Sequence, residues 1–232
     1  VETDERLLLL PLWYVVFLLS LTCHEAAHAW ASKRGGDETA YLGGQVSLNP
    51  LPHIRRELFG TVLVPMLTYL HMGWMMGWAS APYDPAWEER HPKRAALMAA
   101  VGPLANLGLV VFGFAVLRIG LETGLWIPAD EGFGISRLVE PVTESAGALE
   151  PLGRLFSIML FLNLVLFVFN LIPLPPLDGA AVVSGFFEPA RRLRDRLRSS
   201  PFGGLMGLVA AWILFPYLFR PVQFWVLSLL FR

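Results

Sequence analysis

The stretch Cys23-His24-Glu25-Ala26-Ala27-His28-Ala29 decides how the rest of the chain is read, because it closes an apolar run. No charged residue occurs from Leu7 to Leu21, and the chain turns polar only at Lys33-Arg34. On a helix, His24 and His28 are four residues apart, so their imidazoles lie on one face and can share a metal ion. Glu25 is turned by about 100° from His24, within reach of a water on that ion without being a ligand. In a soluble helix this trio is a zinc-hydrolase pattern. Here it falls in a segment long enough to cross a bilayer, where an ionisable side chain is by default a functional-site candidate. The plain alternative is a pair of histidines packed against polar neighbours inside a helical bundle.

Composition supports the membrane setting. Of 232 residues, 55% are hydrophobic and 16% charged, with a mean hydropathy of +0.53; soluble domains carry about a quarter charged residues. The net charge of −1 argues against a nucleic-acid partner. A single cysteine, Cys23, excludes an internal disulfide framework and leaves the redox compartment open. The run Leu7–Leu21 followed by Ala29-x-Ala31 also fits a secretory signal peptide. Against that, the flank Val1–Arg6 carries three acids and one arginine where a basic region is expected, and cleavage would discard the clustered metal ligands.

The predicted fold is an all-α polytopic membrane protein with about five to six membrane segments, forming one membrane-embedded domain over 1–232. Its core would run from 7 to 187, with a C-terminal helical segment at 201–232. Helix 1 is expected from Leu7 to about Ser32. The alternation Gln45/Val46/Ser47/Leu48 between glycines and Asn49-Pro50 predicts a short strand or hairpin after it. Leu58–Ala79 is uncharged but contains Pro65 and leads into an extended, Pro-rich stretch to Pro85. Helices are expected at about Ala95–Leu117 and Leu155–Asn170, separated by the acidic linker Glu122–Glu150. The stretch Phe202–Phe231, interrupted by Pro216 and Pro221, is expected to give one crossing and a short apolar piece.

The segment at 58–85 is read as re-entrant or irregular, with a full crossing over 58–79 as the alternative. His24 and His28 lie late in the first helix and Asp178 lies at the end of the fourth, so the two helices should run parallel if those residues are to meet. Charge agrees: a re-entrant segment collects Lys33, Arg34, Arg55, Arg56, Arg90, Lys93, Arg94 and the five arginines of 191–198 on one side, which the positive-inside rule makes cytosolic. The arginine cluster itself is read as a topology determinant.

A catalytic zinc has a third ligand and an open position for water. Asp178 is the candidate, the only acidic residue besides Glu25 set deep in apolar sequence, on a chain that Pro173, Pro175 and Pro176 keep from forming a regular helix. Irregular backbone at membrane depth is tolerated only where it lines a protein-walled or watery cavity; an ordinary Leu-Asp-Gly turn at the membrane surface is the competing reading. Asn106 and Asn170 are amides in apolar helices, serving either interhelical hydrogen bonds or the scissile carbonyl and its oxyanion. The strand at Gly43–Asn49, through Gly44, Val46, Ser47 and Asn49, is either a connector or an edge on which an unwound substrate adds. His53 and His91 are expected at the surface and His71 in the interior.

His24-Glu-Ala-Ala-His28, Gly102-Pro-Leu-Ala-Asn106 and Asn170-Leu-Ile-Pro-Leu-Pro-Pro-Leu-Asp178-Gly179 resemble the motifs of the site-2 protease family of intramembrane zinc metalloproteases, peptidase family M50. Gly44-Gln-Val-Ser-Leu-Asn-Pro50 and Gly77-Trp-Ala-Ser-Ala-Pro82 resemble its compact prokaryotic branch, without a PDZ or CBS module. The likeness covers about Leu7–Gly185. It implies one Zn2+ per chain on His24, His28 and Asp178, Glu25 as general base, and Asn170 and Asn106 near the substrate. It further implies hydrolysis of transmembrane segments of membrane-protein substrates, in a prokaryotic cell (inner) membrane; the loop charges add the expectation of a site nearer the cytosolic face. Two other classes remain on the residues alone: a catalytically silent membrane scaffold of the same fold, and a metal transporter, which would need ligands on several crossings.

Overall fold

The computed structural model describes residues 3–130, 134–143 and 147–232, with side chains from Arg6 onward. Val1 and Glu2 of the acidic flank, and Glu131 and Glu144 of the acidic linker, lie outside the described residues. In order, the elements are α1 (Thr3–Gly35), α2 (Thr39–Leu42), α3 (Leu51–Arg56), a π-helical turn (Phe59–Leu63) running into α4 (Val64–Met72), α5 (Pro85–Arg90) and α6 (Pro92–Glu122). There follow β1 (Trp126–Pro128), β2 (Val139–Pro141), α7 (Leu149–Asn170), α8 (Asp178–Phe186), α9 (Glu188–Ser199) and α10 (Gly203–Leu230). Four of these, α1, α6, α7 and α10, are long and apolar enough to cross a membrane. With the shorter apolar helix Phe59–Met72 they make an all-α polytopic bundle.

Helix α6 is the hub, packed along α1, α7 and α8. Two apolar clusters hold the layers together. One joins Trp13, Phe17 and Leu21 of α1 to Tyr69, Met75 and the α7 residues Ile158 and Leu162. The other joins α6, α7 and α10 through Val110, Leu160, Leu164, Phe215 and Phe219.

The segment at 58–85 goes in and comes back. Phe59–Met72 has 14 residues, about 21 Å of helix, short of the roughly 30 Å of hydrocarbon in a bilayer. Its far tip meets the start of α1, where Tyr69 Oη donates to the Arg6 carbonyl at 2.9 Å. The chain then returns extended, and the Trp78 N–H donates to the Gly60 carbonyl at 3.1 Å. The end of α1 and the start of α6 therefore lie together: Trp87 Nε1 and Arg94 both donate to the Gly35 carbonyl, at 3.1 and 3.2 Å. At the opposite end Trp13 Nε1 donates to Ser136 Oγ at 3.0 Å, and Arg118 donates to the Leu230 carbonyl at 3.0 Å. So α1 and α7 run in one direction and α6 and α10 in the other.

Three expectations are corrected. Gly43–Asn49 forms no strand; it is a turn and a series of bends. Gly44 takes φ +73°, the Gln45 N–H is spent on the Ala40 carbonyl, and Ser47 Oγ and Asn49 Oδ1 accept from the N–H groups of Asn49 and Leu51. Those local bonds use the donors a ladder would need. The only strands among the described residues are β1 and β2, paired antiparallel within the acidic linker with Ile127 opposite Glu140. Secondly, Pro216 and Pro221 lie inside an unbroken α10; a membrane helix absorbs the two lost donors with help from its neighbours. Thirdly, His53 is buried, with Nε2 on the Ser47 carbonyl at 3.2 Å, whereas His71 is exposed.

The basic helix α9 is tied to α5 by Arg194 and Arg198 on Glu88, and to the extended stretch before α5 by Arg198 donating to Tyr83 Oη. Preceding it, α8 lies against the first turns of α6: a Cβ on Gly185 would sit 2.3 Å from Ala96 Cβ and 2.5 Å from the Pro92 carbonyl oxygen.

Two outcomes follow. In a Cys23→Ser background, single cysteines at Glu38 and Glu89 label with an impermeant thiol reagent from the same side of the membrane, and one at Thr123 labels from the other. Gly185→Val pries α8 from α6 and lowers stability by about 1–3 kcal/mol, the cost of overpacking a filled contact, read from reversible unfolding in detergent.

Candidate metal centre

Helix α1 carries the two histidines on its α6-facing side, both buried. Asp178 opens α8 after the turns of 171–177, which Leu174 and Leu177 close through N–H bonds to the carbonyls of Ile172 and Leu174. The three groups converge: His24 Nε2 and His28 Nε2 are 2.9 Å apart, and Asp178 Oδ2 lies 3.1 Å from the first and 3.4 Å from the second. One ion bonded at about 2.0–2.2 Å to each satisfies all three separations. Among the described residues this is the group of His, Cys, Asp and Glu that could hold a metal.

The protons are placed for it. His28 Nδ1 lies 2.8 Å from the Met98 carbonyl, which can only accept, so Nδ1 carries a hydrogen and, in the neutral ring, the lone pair is on Nε2. His24 Nδ1 lies 2.6 Å from Asn106 Oδ1. The Asn106 amide nitrogen donates to the Ser20 carbonyl at 3.3 Å and to Asn163 Oδ1 at 2.9 Å, so its oxygen faces the ring and His24 Nδ1 donates. With both rings neutral, the two Nε2 atoms present lone pairs to each other and to a carboxylate, an arrangement that a cation relieves.

Space for an ion comes from α6. A Cβ on Gly102 would stand 2.2 Å from His28 Nε2 and 2.8 Å from His24 Nε2. Only a residue without a side chain lets the two rings face α6 at this depth. Glu25 is buried on the same turn of α1 and has no hydrogen-bond partner among the described residues. The side chains of His24 and His28 are 7% and 8% exposed and that of Asp178 is 23%, so the aspartate is the open side of the cluster.

The other sequence candidates are placed differently. Asn106 is fully buried with both amide protons committed, so it stands behind His24 and has no donor for a substrate carbonyl. Asn170 ends α7, half-buried, and its amide donates to the Leu166 carbonyl at 3.0 Å. Gly44, Val46, Ser47 and Asn49 lie in the bends between α2 and α3, without the edge that strand addition requires. Ser20 and Asn163, fully buried partners of Asn106, were not singled out from sequence. Their signal was present, a hydroxyl one turn before His24 and an amide midway along an apolar helix, but nothing in the sequence pairs them. A cavity of about 380 Å³ between α5, α8 and α9 is lined by Tyr83, Glu88, Arg194 and Arg198; none of the three converging residues lines it.

With this geometry in place, comparison with known proteins is informative. YwhC of Bacillus subtilis, provisionally named a zinc metalloprotease, is 31% identical over 217 residues, covering 90% of this chain and 87% of YwhC. Rip2 proteins of Mycolicibacterium smegmatis and Mycobacterium tuberculosis, provisionally named in the same way, are each 28% identical over 75% of this chain. The chain spans 56% of the length of either Rip2. No solved structure matches it. Residues 12–214 match the family description Peptidase family M50, a span running from the first turns of α1 into α10 and taking in both histidines and Asp178; the chain belongs to peptidase family M50.

Proposed function

We propose that this integral membrane protein is an intramembrane zinc metalloprotease of the site-2 type, hydrolysing peptide bonds in transmembrane segments of membrane-protein substrates. The observation that carries the reading is the convergence of three lone-pair atoms, two from α1 and one from α8, beside a helix that is bare where they meet. In this reading His24, His28 and Asp178 hold one Zn2+ per chain within a single membrane-embedded domain. When bound, such an ion lowers the pKa of its water to about 7 and polarises a carbonyl.

The chain supplies the rest. Glu25, buried and free of hydrogen-bond partners among the described residues, takes one proton from the attacking water and returns it to the leaving amine. The water oxygen ends in the new carboxyl group as the C–N bond breaks. Asn170, at the end of α7 on the approach to Asp178, is assigned to the substrate. A helical substrate hides its peptide bonds in i→i+4 hydrogen bonds, so it must unwind locally before attack.

Depth fits a site nearer one face. His28 and His24 precede Lys33 by five and nine residues, about 8 and 14 Å along the helix, shallower than the midplane of a roughly 30 Å core. That face holds Lys33, Arg34, Arg55, Arg56, Arg90, Lys93, Arg94 and the arginines of α9, twelve of the eighteen basic residues, an excess that supports assigning it to the cytosol. The membrane of a prokaryotic cell is the expected location.

Purified Glu25→Gln protein retains zinc and loses cleavage of a model transmembrane substrate by about 10²–10⁴-fold, the usual worth of a general base; near-normal turnover in that variant refutes the assignment. Gly102→Val loses zinc although every ligand is intact, measured by metal analysis of the folded protein. Asp178→Ala lowers zinc content in the same measurement.

A further inference from the structure

Behind the metal centre lies a polar relay that crosses three helices. Ser20 of α1, Asn106 of α6 and Asn163 of α7 are each fully buried. Asn163 Nδ2 donates to the Met159 carbonyl and to Ser20 Oγ, both at 2.9 Å. Ser20 Oγ in turn donates to the Val16 carbonyl at 2.7 Å. Asn163 Oδ1 accepts from Asn106 Nδ2 at 2.9 Å, and Asn106 Oδ1 accepts from His24 Nδ1 at 2.6 Å. Every direction follows from backbone carbonyls, which only accept. A flipped Asn163 would set its oxygen against the Met159 carbonyl and its amide against the amide of Asn106.

We propose that Asn163, held by Ser20, is a positioning residue for His24: it orients the Asn106 carboxamide so that the proton of His24 stays on Nδ1 and Nε2 is left for the metal. The inference rests on the zinc reading above and adds a residue from a third helix to the centre. Interhelical hydrogen bonding alone does not account for the relay, because each member points its remaining group toward the next and the series ends on a ligand. Partners behind a metal-bound histidine set its tautomer and ring orientation, and losing one costs about 10–100-fold in metal affinity.

The test uses the full chain in detergent, with zinc affinity from chelator competition and the visible spectrum of the Co2+-substituted protein. Asn163→Leu is expected to weaken zinc by about tenfold or more and to shift the Co2+ bands. In an Asn106→Asp background the same substitution should cost less than about threefold, because a carboxyl group accepts from His24 with either oxygen and needs no orienting partner. Equal losses in the two backgrounds, or unchanged affinity and spectrum, overturn the proposal. Should Asn163→Leu not fold, Ser20→Ala decides: it is expected to weaken zinc by about threefold or more, and wild-type affinity overturns the role. A wild-type chain that takes up no zinc overturns the centre itself, and the positioning role with it; one zinc per wild-type chain with an unchanged variant overturns the positioning role alone.

Discussion

The imidazoles of His24 and His28 meet α6 where that helix has no side chain, and the rest of the molecule is arranged to make the meeting possible. Gly102 leaves room for the two Nε2 atoms, the Met98 carbonyl one turn earlier takes the proton of one ring, and Asn106 one turn later takes that of the other. Three positions at i, i+4 and i+8 on one face of α6 therefore hold the whole histidine pair. Asp178 completes the cluster from the opposite direction, because α8 is laid against the first turns of the same helix.

Keeping such groups below the lipid surface is an electrostatic problem before it is a catalytic one. An unsatisfied polar group in hydrocarbon costs several kcal/mol, whereas a hydrogen bond between membrane helices contributes on average only about 0.6 kcal/mol. The relay through Asn106, Asn163 and Ser20 is thus a weak reason for three helices to associate and a strong constraint once they have. Association comes from the apolar clusters on either side, one built on Trp13 and Phe17 and the other on Leu160, Phe215 and Phe219. The polar groups then have one arrangement in which all are paired, and that arrangement turns the Nε2 atoms of both histidines toward the carboxylate.

The re-entrant segment serves the same geometry. A full crossing at 58–85 would have reversed every later helix and placed Asp178 at the far end from the histidines. Because Trp78 returns to Gly60, α1 and α7 run parallel, and the turns after α7 deliver Asp178 to the depth of His24. That outcome could be reasoned from sequence because both parity and the distribution of arginines favoured it over a full crossing. The strand at Gly43–Asn49 could not be judged in that way. Its alternation is real, but Ser47 and Asn49 bond their own neighbours, and a pattern of alternation does not reveal whether a partner strand exists. His53 and His71 exchanged places for a related reason: burial depends on what folds over a residue, and flanking hydropathy reports only on the segment itself.

By itself the sequence determined the membrane class, the positions of the first three crossing helices, the His24–Glu25–His28 face and the carboxylate that could join it, because these follow from length, periodicity and the cost of charge in an apolar run. The family resemblance was legible for the same reason, its motifs being short and rigidly spaced. Only the tertiary structure decided that Asn106 stands behind His24 with no donor left for a substrate, that Ser20 and Asn163 belong to the same relay, and that Gly102 is bare because two rings occupy its side-chain space. Those are relations between helices, and helical periodicity carries no information about which residue of one helix will face which residue of another.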